Sequence, residues 1–153
     1  MPKKSKNMLK KILIAFVVLF MIIQFFRIDK ANPVSAKEND FIEIYQPPAE
    51  ITEMIKASCY DCHSNTTKYP WYTNVAPVSW FVKDHINEGR DYFNFSEWSL
   101  MTDKRQDHIL EECGEEVEEN EMPLPSYLWT HSEAELSHDQ RETLEHYFES
   151  LRK

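Results

Sequence analysis

Cys59-Tyr60-Asp61-Cys62-His63 is the stretch that most restricts how this chain can fold. Two thiols separated by two residues, with an imidazole directly after, act together only where the backbone brings all three to one side. The end of a helix supplies that turn. In an exported chain the C-x-x-C-H spacing is the signature of covalent haem attachment, in which the thiols form thioethers and the histidine reaches the iron. The spacing therefore predicts a haem c held by Cys59 and Cys62, with His63 as proximal ligand. A zinc site would need a second close Cys/His pair. Cys113 is solitary, and the nearest histidine pair, His131 and His138, is seven apart. A thioredoxin-like dithiol would need a βαβ frame, which the pattern does not offer.

Export is read from the N-terminus. Ile12 to Phe26 is apolar except for Gln24. A bilayer core of about 30 Å asks for roughly 20 apolar residues. Met8 and Leu9, with Lys10, Lys11 and Arg27 snorkelling to the headgroups, bring the stretch close to that length. Five lysines precede it and few basic residues follow, which orients the N-terminus toward the cytoplasm. The expectation is a single-pass signal-anchor over residues 1–28 in the inner membrane, with the remainder periplasmic. Cleavage after Val34-Ser35-Ala36 is the alternative, and it would export the same residues.

Seven of the 17 basic residues but only one of the 26 acids lie within residues 1–30, so the rest carries about −15. Such a domain repels nucleic acid, which excludes that class of partner. It favours basic protein surfaces, and envelope redox proteins with basic docking faces are the expected partners.

Two glycines in 153 residues argue for helices over a turn-rich β-fold. Residues 29–47, with three prolines in the stretch to Pro48, read as an extended linker. Residues 48–153 form the expected domain. Ile51, Met54, Ile55 and Cys59 recur at helical spacing and run into the C-x-x-C-H stretch. After a loop from Ser64 to Ala76, Pro77 opens a second helix with Val78, Phe81, Val82, His85, Ile86 and Gly89 on one face. Asn94 to Met101 is short and irregular. A third helix starts near Asp103, with Ile109, Leu110, Cys113 and Val117 inward. Ser137-His138-Asp139-Gln140 is a capping box that starts a last helix burying Leu144, Tyr147, Phe148 and Leu151. The fold class is all-α: about four main helices in a small cytochrome c-like domain behind the N-terminal helix.

The sixth iron ligand decides what a haem can do. Methionine opposite histidine gives a six-coordinate, electron-transferring iron. Met122, in Glu121-Met122-Pro123-Leu124-Pro125, stands in a proline-stiffened loop that excludes helix and presents the thioether. Met101, His85 and His108 are the other candidates, and an open site is a further one. A packed or haem-edge role suits His85, while His131, His138 and His146 read as solvated. Cys113 reads as a buried, inert thiol. Trp71, Tyr72, Trp80 and Tyr127 are candidate pocket walls. Seven glutamates between Glu111 and Glu121 form a solvated face or a docking surface.

The segments around these residues resemble a known family. Ala57-Ser58-Cys59-Tyr60-Asp61-Cys62-His63-Ser64-Asn65, Tyr69-Pro70-Trp71-Tyr72, Ala76-Pro77-Val78-Ser79-Trp80, Asn94-Phe95-Ser96-Glu97-Trp98 and Glu121-Met122-Pro123-Leu124-Pro125-Ser126-Tyr127 are similar to the small haem-binding-domain family of membrane-anchored, cytochrome c-like proteins. The likeness runs from about Gln24 to the C-terminus. It implies haem ligation by Cys59, Cys62 and His63, and by Met122 through analogy with class I cytochromes c. The same analogy implies that the Pro77 carbonyl accepts a hydrogen bond from His63. Asn120 departs from the glycine expected before Glu-Met-Pro, although asparagine tolerates a left-handed backbone.

The reading is a membrane-anchored, periplasmic mono-haem electron carrier rather than an enzyme. A peroxidase would need a distal His/Arg pair that the sequence does not show. The alternative is a haem sensor with an exchangeable sixth position.

Overall fold

The computed structural model describes residues 3–153, with side chains from Asn7 onward, so the side chains of Lys3, Lys4 and Lys6 lie outside the described residues. Among these residues there are helices and no strands. Eight α-helices run in order: α1 Lys3–Ile23, α2 Phe41–Tyr45, α3 Ala49–Ser58, α4 Tyr60–His63, α5 Val78–Tyr92, α6 Asp103–Glu118, α7 Pro125–Leu128 and α8 His138–Ser150. They fall into two compact units. One joins Asn32–Lys68 with Ile86–Lys153, and the other joins Met1–Ala31 with Tyr69–His85.

In the larger unit α6 packs along α8, and α3 lies on α8 as well. The apolar stripes meet as their spacing requires: Ile51 and Ile55 of α3, Ile109, Leu110 and Val117 of α6, and Leu144 and Phe148 of α8 are all buried. Each such side chain contributes about 1.5–3 kcal/mol of burial free energy. The start of α8 is capped as expected. Ser137 Oγ accepts from the Gln140 N–H at 3.2 Å, and Gln140 Oε1 accepts from the Ser137 N–H at 2.8 Å.

Residues 29–47 are not extended throughout. A 3-10 turn forms at Lys37–Asn39 and α2 follows, with Asp40 capping it by accepting the Ile42 N–H at 2.9 Å. Phe41 is fully buried against Phe95 and Trp98, at ring-centroid distances of 5.0 and 4.9 Å. A five-residue helix is too short to show a period, so the sequence pattern conceals it. The irregular stretch after Asn94 is a 3-10 helix, Phe95–Leu100, and it brings Phe95 and Trp98 into the same aromatic cluster.

The smaller unit is built differently. No helix among the described residues is long and apolar enough to cross a membrane. α1 ends at Ile23, so its apolar part, Ile12–Ile23, spans about 18 Å at 1.5 Å per residue against a hydrocarbon core of about 30 Å. Along α1 the apolar side chains from Met8 to Ile22 stand 46–69 % exposed. Val78 and Phe81, expected to face inward on α5, are also about half exposed, whereas Ile86 and Gly89 of the same helix are buried in the larger unit.

Candidate functional site

α3 and α4 meet at Cys59, whose φ of −121° breaks the helix between them. The Cys59 N–H still donates to the Ile55 carbonyl at 3.0 Å, and the Cys59 carbonyl accepts from Cys62 and His63 at 3.2 and 2.9 Å. That single turn holds two thiols and an imidazole together, as the spacing requires. Tyr60, between the cysteines, is buried. It stacks on Phe95 at 5.2 Å and donates to Asp40 Oδ1 at 2.9 Å. Burial, with the Asp40 carboxylate behind it, pushes the Tyr60 hydroxyl far above its ordinary range.

The turn is seated on the C-terminal half of α5. A Cβ placed on Gly89 would come 2.9 Å from the Cys62 carbonyl oxygen, closer than side chains approach in proteins. Arg90 then spans the segment after the motif. Its Nε donates to the Ser64 carbonyl at 2.8 Å, and Nη2 reaches Asn32 Oδ1 at 2.9 Å and Thr67 Oγ1 at 2.7 Å. Asn65 continues the frame by donating from its backbone to Ser96 Oγ at 3.1 Å and accepting from Asn94 Nδ2 at 2.8 Å.

Met122 arrives from the other side of the sequence. α6 ends in Asn120, whose φ of 60° is left-handed, and the Glu116 carbonyl accepts from the N–H groups of both Glu121 and Met122. Asparagine thus fills the place where glycine was expected. α7 follows, and the Tyr127 hydroxyl stands 2.9 Å from Asp61 Oδ2 and 3.2 Å from the Ala57 carbonyl. This ties the Met122 loop to the C-x-x-C-H turn.

One pocket collects these groups. Cys59, His63, Cys113 and Met122 line it together with Phe93, Ile109, Val117 and Phe148. Tyr92, Glu112 and Glu116 stand at its rim, where the Tyr92 hydroxyl bonds to the Glu112 carboxylate. Cys62 lies one turn from Cys59 but is not among the lining residues. Burial pushes the Cys59 thiol up to about 12 and Cys62 up to about 11, so both are protonated at neutral pH. Burial likewise takes His63 below the usual histidine range, against the opposing pull of the Phe93 and Gly89 backbone. Its ring stacks on Phe93 at 4.3 Å, and Nδ1 is buried without a hydrogen-bond partner. The neutral imidazole is the form that binds metal.

A family model described as a haem-binding domain matches residues 18–150. The chain belongs to the haem-binding domain family. Membership makes haem the cofactor and points to binding rather than catalysis. No curated protein and no solved structure matches the chain.

The residues present suit this cofactor. The haem-binding domain brings the Cys59 thiol, the neutral imidazole of His63 and the Met122 thioether to one apolar cavity, with the free Cys62 thiol one turn away. The cavity measures about 160 Å³, below the roughly 300 Å³ at which small-ligand sites begin, so a macrocycle would project through the rim. No group of three or more His, Cys, Asp or Glu converges on a metal position among the described residues, whereas structural zinc takes four donors.

Several expected positions differ. Met101 packs on the core, His108 pairs with Glu111 and Glu112, and His85 Nδ1 lies 2.9 Å from the Phe81 carbonyl; none lines the pocket. The pocket walls are Phe93, Phe148 and Tyr92, not Trp71, Tyr72 or Trp80. Trp71 is 78 % exposed, and Trp80 Nε1 donates to the Phe26 carbonyl at 2.8 Å. Tyr127 acts as a clamp. The Pro77 carbonyl accepts from Trp80 and Phe81, and the backbone beside His63 is that of Gly89 and Phe93. Cys113 packs against the core from the inward stripe of α6 as expected, and it also lines the pocket. The sequence reading missed Arg90 and the role of Gly89, although a glycine inside a helix is itself a signal of close backbone approach.

Proposed function

We propose that this chain is a membrane-anchored c-type cytochrome of the bacterial envelope that carries single electrons. The observation that carries the proposal is the meeting of Cys59, His63 and Met122 on one apolar pocket, with Cys62 one turn away. Cys59 and Cys62 would hold the haem by thioethers, and His63 and Met122 would ligate its iron. Bound haem would supply a one-electron couple, its potential raised by a Met/His ligand pair.

The chain's own residues then set the conditions. Burial keeps the His63 ring neutral and ready to ligate. Phe93, Ile109, Val117 and Phe148 exclude water from the cavity, and the Tyr127–Asp61 contact holds the Met122 loop against the attachment turn. Glu112 and Glu116 put negative charge at the rim, which suits an envelope redox partner with a basic docking face. The exposed apolar side chains of α1 support lipid contact there, with Gln24, Phe25 and Phe26 extending the apolar stretch beyond the helix. Lysines on the N-terminal side favour a cytoplasmic N-terminus and a periplasmic haem domain.

The deciding experiment is a pyridine haemochrome assay and an absorption spectrum of protein produced with haem-attachment machinery. Covalent haem with a low-spin spectrum and a methionine–iron charge-transfer band in the oxidised form is expected. Protein without covalent haem would overturn the proposal. Rapid carbon monoxide binding by the reduced protein would instead favour a sensor with an exchangeable sixth position.

A further inference from the structure

A second cavity lies wholly within the unit of Met1–Ala31 and Tyr69–His85, and measures about 240 Å³. One wall is the stretch that follows α1, and the other is Thr73 and Asn74 of a 3-10 turn with Ala76 and, at the beginning of α5, Ser79. The two walls are fastened together. Gln24 donates to the Ala76 carbonyl and accepts from the Ala76 N–H, both at 3.0 Å, while Lys30 Nζ donates to Asn74 Oδ1 at 2.6 Å.

Two donors in this cavity are unspent. Ser79 is 3 % exposed and lines the cavity, and its hydroxyl makes no hydrogen bond among the described residues. Arg27 also lines it, and its guanidinium forms no hydrogen bond or ion pair there. Lys30 adds a second cation. Asp29 is the one acid in the wall, and its Oδ1 already accepts from the Ala31 N–H at 2.8 Å. A guanidinium fork with a buried hydroxyl matches the oxygens of a phosphate ester.

The setting identifies the source of that phosphate. The cavity opens where α1 ends, beside Phe25 and Phe26, which are 86 % and 64 % exposed, and Trp71, at the start of the turn that supplies Thr73 and Asn74 to the lining, is 78 % exposed. Exposed aromatics next to basic side chains at the end of an apolar helix are the composition of a membrane–water boundary. At about 240 Å³ the cavity takes a headgroup and leaves no room for acyl chains, which would lie along the exposed face of α1.

We propose that Arg27, Lys30 and Ser79 bind the phosphodiester of a phospholipid headgroup, which fixes this unit at the bilayer surface. The proposal rests on the membrane reading of α1. The test uses the full chain in dodecyl maltoside micelles, titrated with dihexanoyl phosphatidylethanolamine and, separately, with inorganic phosphate, while backbone amide resonances are followed. Saturable shifts at Thr73–Ser79 with the lipid are expected, weakened about tenfold in Arg27→Gln, as loss of a charged hydrogen bond requires. Ser79→Ala should weaken binding in the same direction, at a position whose substitution leaves α5 helical. No saturable shift, or shifts indifferent to both substitutions, would overturn the proposal. Equal affinity for inorganic phosphate would overturn the lipid assignment. Flotation of the wild type with phosphatidylethanolamine/phosphatidylglycerol vesicles reads the membrane step separately: a chain that floats without saturable shifts has lost only this site.

Discussion

Gly89 and Cys62 touch backbone to backbone: a Cβ on Gly89 would stand 2.9 Å from the Cys62 carbonyl oxygen and 3.2 Å from the Cys62 Cβ. Neither neighbour is a flexible side-chain end, so the clash cannot be relieved by a rotamer change. Gly89→Ala should push α5 away from the attachment turn and cost about 1–3 kcal/mol, the usual range for overpacking. Thermal melting of the haem-free protein measures it. An unchanged midpoint would mean that the two helices separate freely.

Arg90 ties three segments together through Ser64, Asn32 and Thr67. Ser64 is fully buried, so removing the guanidinium strands its carbonyl. Arg90→Leu should lower stability by about 1.5–3 kcal/mol, as for other hydrogen bonds from charged groups. Urea titration checks this, and a change below about 0.5 kcal/mol would show that water replaces the guanidinium.

Met122→Ala tests the distal ligand directly. Covalent haem should survive, because Cys59 and Cys62 are untouched, while the methionine–iron charge-transfer band of the oxidised protein disappears. An unaltered spectrum would assign the sixth position to another group.

Thiol ionisation supplies a pH prediction for the haem-free protein. Burial raises Cys59 to about 12 and Cys62 to about 11, and it holds Cys113 well above its ordinary value. A folded-state pKa above the unfolded one means that the contribution to stability is complete below the unfolded value, about 8.5, and is lost as pH rises through the folded values. The urea midpoint should therefore fall above about pH 8.5. Native protein at pH 8 should alkylate far more slowly with iodoacetamide than protein in urea, with labelling of all three thiols counted by mass. Native labelling as fast as in urea would contradict the burial.

Much of the helical frame is legible without a structure. α3, α6 and α8 show three to four apolar residues per two turns, and the Ser137 cap is written in four consecutive letters. The attachment turn is equally local, since the Cys59 carbonyl needs only its next four residues to form it. The short elements are not legible. α2 has too few residues for a period, and Phe41 becomes core only because Phe95 and Trp98 arrive from more than 50 residues away.

What the chain's order of residues determines by itself is whatever acts over one or two turns: the helix stripes, the capping box and the C-x-x-C-H geometry. Tertiary structure alone decided that Phe93 and Phe148, rather than the tryptophans, wall the pocket, and that Cys113 lines it beside His63 and Met122. It also decided that Gly89 is needed for contact and not for conformation. These facts depend on which helix faces approach one another. That approach is set by the summed burial of distant side chains, which no local pattern encodes.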